Sequence, residues 1–530
     1  MVFALSTASL AQTQNGATES VGELETEIVQ GGTGFSAGNV ISPAPIPKPQ
    51  VTNVVVETPT RVDTEIKDQP SSIFVITQED VARWAPLSFD DLTFQEPNVD
   101  FLGGPRYLGE QLIIRGEGGS AVNVRLDGGR QNFVSGHSGQ RFFVETDFLK
   151  EVEILRGGGS FLYGSGSAGV VNISTLDPID IVKDGNALGL RIRNTYHSNS
   201  NEWANSVVGA GIGEKVQFLA GWSDRSADNI TQADDIELPF SAVDRSGAIG
   251  KFIWTPNDEN TVTITLNSYE TDDIGGANPQ QLAAGNSQNA LVDRTVQYMQ
   301  WSGDWEWNPI DNDLINLKTT VYYNNTKQFR DYTITDPTDN NFGRENSVDY
   351  DVFGIDISNR SEVFIGNKRH QFVYGIDFYT ESQKGDESRN TFFVPGTSGT
   401  DSRRPDAEAD FLGIYLIDEV EVNDRLTLFG GIRYDTYESE KTVGSFQSQS
   451  DSSFSPQIGF DLEITEKLSF FGQYSRGFTA PFLNSLYQDG SHFGLVPLVN
   501  PNDVFAAIGR VRTPVVQATA EPPPPPRLPN

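Results

Sequence analysis

Four histidines and no cysteine restrict the chemistry open to this 530-residue chain. Without thiols there is no disulfide, no thiolate nucleophile and no Cys-ligated zinc or iron–sulfur site. Imidazole remains, and it is a good ligand for transition metals such as iron. His137 follows the stretch Asp127-Gly-Gly-Arg130-Gln131-Asn-Phe-Val-Ser-Gly136. His492 lies between Gly477-Phe478-Thr479-Ala480-Pro481 and Asn500-Pro501-Asn502-Asp503. His197 and His370 fall in or beside alternating stretches and are expected to be structural. The acidic pairs Asp234-Asp235 and Asp272-Asp273 are the material for acid–base hydrolysis, but in polar stretches they are expected to be solvated turns. The segment Asp336–Asn341 could offer oxygens to calcium, yet it lacks the EF-hand spacing. Gly164-Ser-Gly166-Ser-Ala-Gly169 spells GxGxxG, which binds dinucleotides only when it opens a helix. Here a strand is predicted to follow, so that reading fails. No Walker motif is present, so the chain shows no means of energising work by itself.

The elements that must position these groups fall into two kinds. The formal charge is −34, which opposes phosphate neutralisation and excludes nucleic acid as a partner. No run of about 18 apolar residues occurs, which excludes a spanning helix. A spanning strand needs only about 10 alternating residues, so a membrane stays open. Met1–Ala11 resembles the end of a secretory signal with cleavage before Gln12. Residues 12–60 are expected to form a flexible linker, interrupted by the β-prone Val54-Val55-Val56. From 61 to 180 the pattern is mixed α and β. Ser72–Ile76 is predicted to be a strand, and Thr77 with Asp80 to cap a short helix in a capping box. Ser88 with Asp91 repeats the device. Strands are expected at Leu112–Arg115, Val122–Leu126, Val152–Leu155 and Val170–Ser174, with a turn at Asp127-Gly128-Gly129.

From 181 to 510 alternating segments recur, separated by short turns on one side and long polar loops on the other. That asymmetry is the pattern of an outer-membrane barrel. Segments such as Ala187–His197, Lys215–Arg225, Thr261–Tyr269, Val296–Trp307 and Leu468–Ser475 carry it. Thr255–Asp258 and Glu421–Asp424 are turns, whereas Asp272–Asn289 and Glu381–Ala407 are long loops. Trp301, Trp305, Trp307, Tyr322 and Tyr323 are placed to serve an interfacial belt. About thirteen strands are predicted before Phe478, an odd number. The tail 511–530 ends in a proline run that cannot join a ladder, so a barrel truncated at its C-terminal side is expected.

Val152-Glu-Ile-Leu-Arg156-Gly157, Phe161-Leu-Tyr163-Gly164-Ser-Gly166 and Val170-Val-Asn-Ile173 together closely resemble the plug signature of TonB-dependent receptors. Ile114-Arg115-Gly116 and Asp127-Gly128 sit where that family has its upstream plug motifs. The resemblance reaches to about Asp503. It implies a β class fold: a transmembrane antiparallel barrel, of which about 13 of 22 strands are present, with an N-terminal α+β plug. It also implies an outer-membrane location, no enzymatic activity and a TonB box at Thr52, Val54, Val55, Val56 and Glu57. The implied partners are the TonB–ExbB–ExbD complex, outer-membrane lipid and an iron-carrying ligand.

The contexts of His137 and His492 are similar to the plug loop and to the FRAP and NPNL boxes of haem and haemoglobin receptors. Thr479 stands in place of the box arginine, and Asp503 in place of the box leucine. Carried over, His137 and His492 are the two axial ligands of haem iron. Arg130 and Arg141 are candidates for the propionates, and Phe142 and Phe493, with Phe133 and Phe143, for stacking on the porphyrin. Haem is then a transported ligand, and no prosthetic group is expected. A ferric-siderophore receptor of the same family and a non-functional truncated remnant are the alternatives.

Overall fold

The computed structural model describes residues 72–93, 96–102, 110–133, 141–157, 160–278, 291–332, 343–388, 406–441, 448–465 and 468–487. Short strands at Val2–Ser6, Glu27–Ile28, Val55–Val56 and Thr64–Glu65 are also described. His137, His492, Phe493, Thr52, Val54 and Glu57 lie outside the described residues.

The plug begins with β1 (Ile73–Thr77) and α1 (Gln78–Trp84). The capping box forms as expected: Thr77 Oγ1 accepts from the Asp80 amide, and Asp80 accepts from the Thr77 amide. Two helix-start donors that have no partner within the helix are thereby satisfied. At α2 (Asp90–Thr93) only the acidic half of the device appears, with Asp91 accepting from the Leu87 and Ser88 amides.

Then come β2 (Val99–Leu102), β3 (Gln111–Ile114) and β4 (Val122–Leu126), followed by β5 (Leu149–Arg156), α3 (Ser160–Tyr163) and β6 (Gly169–Thr175). Strands β4, β6, β5 and β1 pair in that order, with β4 and β6 parallel and the others antiparallel. A strand does follow Gly164–Gly169, so the formal GxGxxG opens no helix.

Among the described residues, thirteen long antiparallel strands form the wall. They are β7 (Leu188–His197), β8 (Glu202–Ile212), β9 (Val216–Ala227), β10 (Val243–Asn257), β11 (Asn260–Gly276), β12 (Leu291–Trp307) and β13 (Leu317–Asp331), then β14 (Glu345–Ile365), β15 (Lys368–Ser388), β16 (Ala407–Asn423), β17 (Leu426–Lys441), β18 (Gln449–Thr465) and β19 (Leu468–Ser475). Each pairs with its neighbour in sequence, and Val2–Ser6 lies along the other edge of β7. Among the described residues β19 pairs only with β18, so the wall is an open sheet.

Alternation sets its two faces. Along β16, Ala407, Ala409, Phe411 and Tyr415 are buried, while Ile414 and Leu416 are about half exposed on the outer face. Trp203, Trp222, Trp254, Trp301 and Trp305 also face outward, as a lipid-contacting band with interfacial aromatics requires. Two sequence expectations are corrected by the same period. Tyr322 is buried against the plug instead of joining the belt, because it and Tyr323 must point to opposite faces. The strands also run further than expected, β11 to Gly276 and β15 to Ser388, taking in the first residues of the two expected loops. The acidic pair Asp272-Asp273 therefore lies in a strand and is split across the wall. Asp273 pairs inward with Arg294 at 2.7 Å, and Asp272 accepts from Thr295 on the other face. It cannot act as an acid–base couple. Asp234 and Asp235 do sit in a turn, both at positive φ.

Candidate functional site at the plug apex

The turn after β4 uses Asp127 and Gly128 at positive φ. Asp127 accepts from the Thr175 amide (3.0 Å) and hydroxyl (2.8 Å), tying the turn to β6. This fixes the three residues that follow Gly129. The Arg130 guanidinium donates to the carbonyls of Tyr163 (2.6 Å) and Gly164 (3.0 Å) and lies 4.5 Å from the Tyr379 ring centroid. Gln131 donates to Gln300 of β12, and Asn132 to Glu381 of β15, both at 2.8 Å. Phe133 meets Phe143 and Tyr350 edge-on or tilted, each at 6.0 Å.

Arg141 donates to the carbonyls of Val122 (2.9 Å) and Gly119 (3.0 Å). Its guanidinium lies over the Phe482 ring at 5.4 Å. Burial, then the nearby charge of Arg130, pushes its pKa down to about 10. Neither arginine forms an ion pair with a carboxylate among the described residues, and the Arg130 Nε lacks a hydrogen-bond partner. Two buried cations held by carbonyls and rings make this apex attractive to an anion. Phe142 stacks on Phe89 at 4.6 Å and packs on Phe101 at 5.3 Å, inside the plug. Phe143 stacks on Tyr298 at 4.8 Å.

Opposite this turn, β19 ends and the chain folds inward over the plug. Ala480, Phe482 and Leu483 are buried, and α4 (Leu483–Tyr487) is anchored by the Tyr487 hydroxyl on Ser439 at 2.9 Å. A narrow cleft lies between, lined among others by Arg130, Asn132, Ser165, Tyr379, Glu381 and Phe482.

Of the residues expected from sequence, the structure brings Arg130, Arg141 and the root of the His492 segment together. It seats Phe142 in the plug core. Asn132, Tyr379, Glu381 and Phe482 were not expected. Asn132 is adjacent to Arg130 in sequence and could have been included. Nothing local marks Glu381, whose role follows only from its facing inward opposite Asn132. Val55–Val56 pairs as a strand with Thr64–Glu65.

A wall of membrane-type strands enclosing an α+β plug with a polar apex defines a plugged outer-membrane receptor. Residues 65–171 match the TonB-dependent receptor plug domain, and residues 221–510 the TonB-dependent receptor-like β-barrel. The chain belongs to the TonB-dependent receptor family. It is 25% identical over 451 residues to the hemin receptor of Yersinia pestis, covering 84% of this chain and 63% of that protein. It is 27% identical over 443 residues to the heme/hemopexin utilization protein C of Haemophilus influenzae, covering 75% and 58%. The chain thus spans about three-fifths of the length of these relatives. In fold it is similar to the Serratia marcescens hemophore receptor HasR, solved with its hemophore HasA and heme. The TM-score is 0.68 at 18% identity, over 80% of this chain and 66% of that one.

Proposed function

We propose that this chain is the plug and part of the barrel of a receptor that imports haem, free or from haemoproteins, with His137 and His492 as axial ligands of the iron. One observation carries the reading: the segments bearing the two histidines are rooted side by side. His137 is four residues before Arg141, and Arg141 lies 5.4 Å from the ring of Phe482, which opens the segment leading to His492. A chain reaches at most about 3.5 Å per residue, so both imidazoles can meet over one apex. Arg130 and Arg141 supply positive charge for the propionates, Arg130 being the one that borders the cleft. Phe493, next to His492 in sequence, offers an aromatic face to the porphyrin, whereas Phe142 is taken up by Phe89 and Phe101 in the plug core. The names of the hemin and heme/hemopexin relatives agree with this ligand.

The chain acts by binding and conformational change. Ligand at the apex frees the TonB box, and TonB adds itself as a strand to Thr52–Glu57, where Val55–Val56 now pairs with Thr64–Glu65. The TonB–ExbB–ExbD complex supplies force from the inner membrane, and the plug rearranges to open a path.

Haemin titration of the folded protein tests the reading. A two-imidazole, low-spin spectrum is expected, reduced to a single-ligand spectrum in His137→Ala and in His492→Ala. Unchanged haemin spectra in both variants would remove the ligand assignment. Growth on a ferric chelate but not on haemin would favour the siderophore alternative, and absence of a heat-modifiable band from outer-membrane fractions would favour the remnant.

A further inference from the structure

Glu381 is a buried carboxylate, 1% exposed, that forms no ion pair among the described residues and accepts instead from Asn132 at 2.8 Å. β15 turns it inward beside Tyr379. Arg130 and the Tyr350 hydroxyl are turned toward it, with Tyr437 of β17 beyond. Arg130 is 3% exposed, and its guanidinium is drawn to the Tyr163 and Gly164 carbonyls while Nε has no hydrogen-bond partner. Asn324 of β13 donates to the Arg130 carbonyl at 2.9 Å and fixes its backbone. Arg130 and Glu381 thus line one cleft without meeting as an ion pair, each held back by its own partners. They are the charged groups among the described residues of the lining, and Ala480, Pro481 and Phe482 border it with apolar side chains. Opposite charges buried apart in this way are costly, and a group that bridges them offsets that cost.

We infer that this cleft takes a ligand's carboxyl group together with one proton, shared between that carboxyl and Glu381, while Arg130 balances the remaining charge. This rests on the haem reading above, in which the group is a propionate. A carboxylate drawn to Arg130 here also comes beside Glu381. Two carboxylates side by side and out of water cannot both stay ionised. One proton is therefore taken from solvent, and the pair is held by a charge-assisted O–H···O bond. Two carboxylates and one proton leave a single negative charge, which Arg130 matches. The hydroxyls of Tyr350, Tyr379 and Tyr437 are neutral near pH 7 and do not supply that charge. Because binding takes up a proton, affinity rises as pH falls, by at most about tenfold per unit. Glu381 is thereby a specificity-determining residue: it admits a carboxyl end, which can take the proton, and repels an acid that stays ionised, such as a sulfonate.

Haemin titrations of the folded full chain at about pH 6 and about pH 8 test this, beside Glu381→Gln and beside the dimethyl ester of haemin. Glutamine keeps the Asn132 bond through its amide oxygen and offers an N–H to a carboxylate without taking up a proton. Ligation of the iron titrates alike in both proteins, so the ratio of their affinities isolates Glu381. Relative to Glu381→Gln, the unsubstituted protein is expected to lose about tenfold or more in haemin affinity from the lower pH to the higher. With the ester, which cannot bring a carboxylate beside Glu381, the ratio is expected to stay flat. A haemin ratio independent of pH overturns the inference, and so does an ester that follows the same slope as haemin. If Glu381→Gln fails to fold, the ratio of haemin to ester affinity on the unsubstituted protein must show the same slope, and a flat ratio there overturns the inference equally. Failure of the haem reading looks different: the unsubstituted protein would then bind neither haemin nor its ester at either pH, and the inference would fall with it.

Discussion

The two sides of the plug meet the wall with opposite polarity. Toward β7–β10 the plug offers carboxylates and the wall offers cations. Asp147 pairs with Arg193 at 2.9 Å, Glu145 lies between Arg225 and Arg245 at 3.4 Å, and Asp177 pairs with Lys251 at 2.9 Å. Toward β14–β17 the signs reverse. Plug Arg125 meets Asp356 at 3.4 Å, and Arg130 and Asn132 approach Tyr379 and Glu381. Complementary charge of this kind fixes register, and here it permits one rotation of the plug about the barrel axis. The two sides also differ in completeness. The first is the closed one, Asp147, Glu145 and Asp177 each having a cation of the wall. The second leaves Arg130 and Arg141 without carboxylates among the described residues and borders the cleft. Structure is held on one side, and ligand chemistry is left open on the other.

The largest test of this contrast is on the closed side. Arg225→Ala removes a cation shared by Glu145 and Glu202, both almost fully buried. A cost of about 3–5 kcal/mol is expected, as for breaking a buried pair, read as a fall in thermal midpoint and faster proteolysis within the plug. On the open side, Gly413→Ala would drive a Cβ into the Arg433 guanidinium, which pairs with Asp377 (2.6 Å) and Asp435 (2.7 Å) beneath α3. Overpacking of this kind costs about 1–3 kcal/mol, and the same thermal assay should show the smaller loss. If Gly413→Ala proves the worse of the two, the division between sides is wrong.

Acid offers a graded version. Burial alone would raise the Asp147 carboxyl, but Arg193, then Arg225 and Arg191, hold it below its ordinary 3.8. Lys251 and Lys150 likewise overcome burial to hold Asp177 low. A depressed carboxylate stabilises fully above its unfolded value and loses that contribution as pH falls through its folded one. Loosening of the closed side is therefore expected below pH 3.8, with little change from pH 5 to 7. Protease accessibility against pH measures it, and Asp147→Asn should shrink the acid step. The smallest expected effect is that of Arg130→Lys. It keeps the charge but loses the planar fork on the Tyr163 and Gly164 carbonyls. About 1 kcal/mol of stability should be lost, with haemin affinity reduced far less than in His137→Ala.

Much of this was legible locally. The capping box at Thr77 and Asp80 spans three residues, and the alternation that built thirteen wall strands spans two. The segments around Arg156-Gly157 and Tyr163-Gly164 announced the plug, and Gly164–Gly169 was correctly refused as a nucleotide loop. Tyr322 was misassigned because an aromatic at a strand end says nothing about which face it takes until register is known. Asp272-Asp273 failed as a pair for the same reason, adjacent strand residues facing opposite ways. Arg130 and Arg141 were proposed from motif context, but that carbonyls and rings, rather than carboxylates, surround them was not readable.

By itself, then, the sequence determined the kinds of element and their order, because periodicity, capping and turn chemistry depend on residues a few places apart. Which charges meet was decided only by the tertiary structure. Asp147 and Arg193 are 46 residues apart, Arg125 and Asp356 231, and Ser165 and Ala480 315. Contacts at such separations depend on how the strands tilt and how the plug is turned inside them, and no local pattern encodes that rotation.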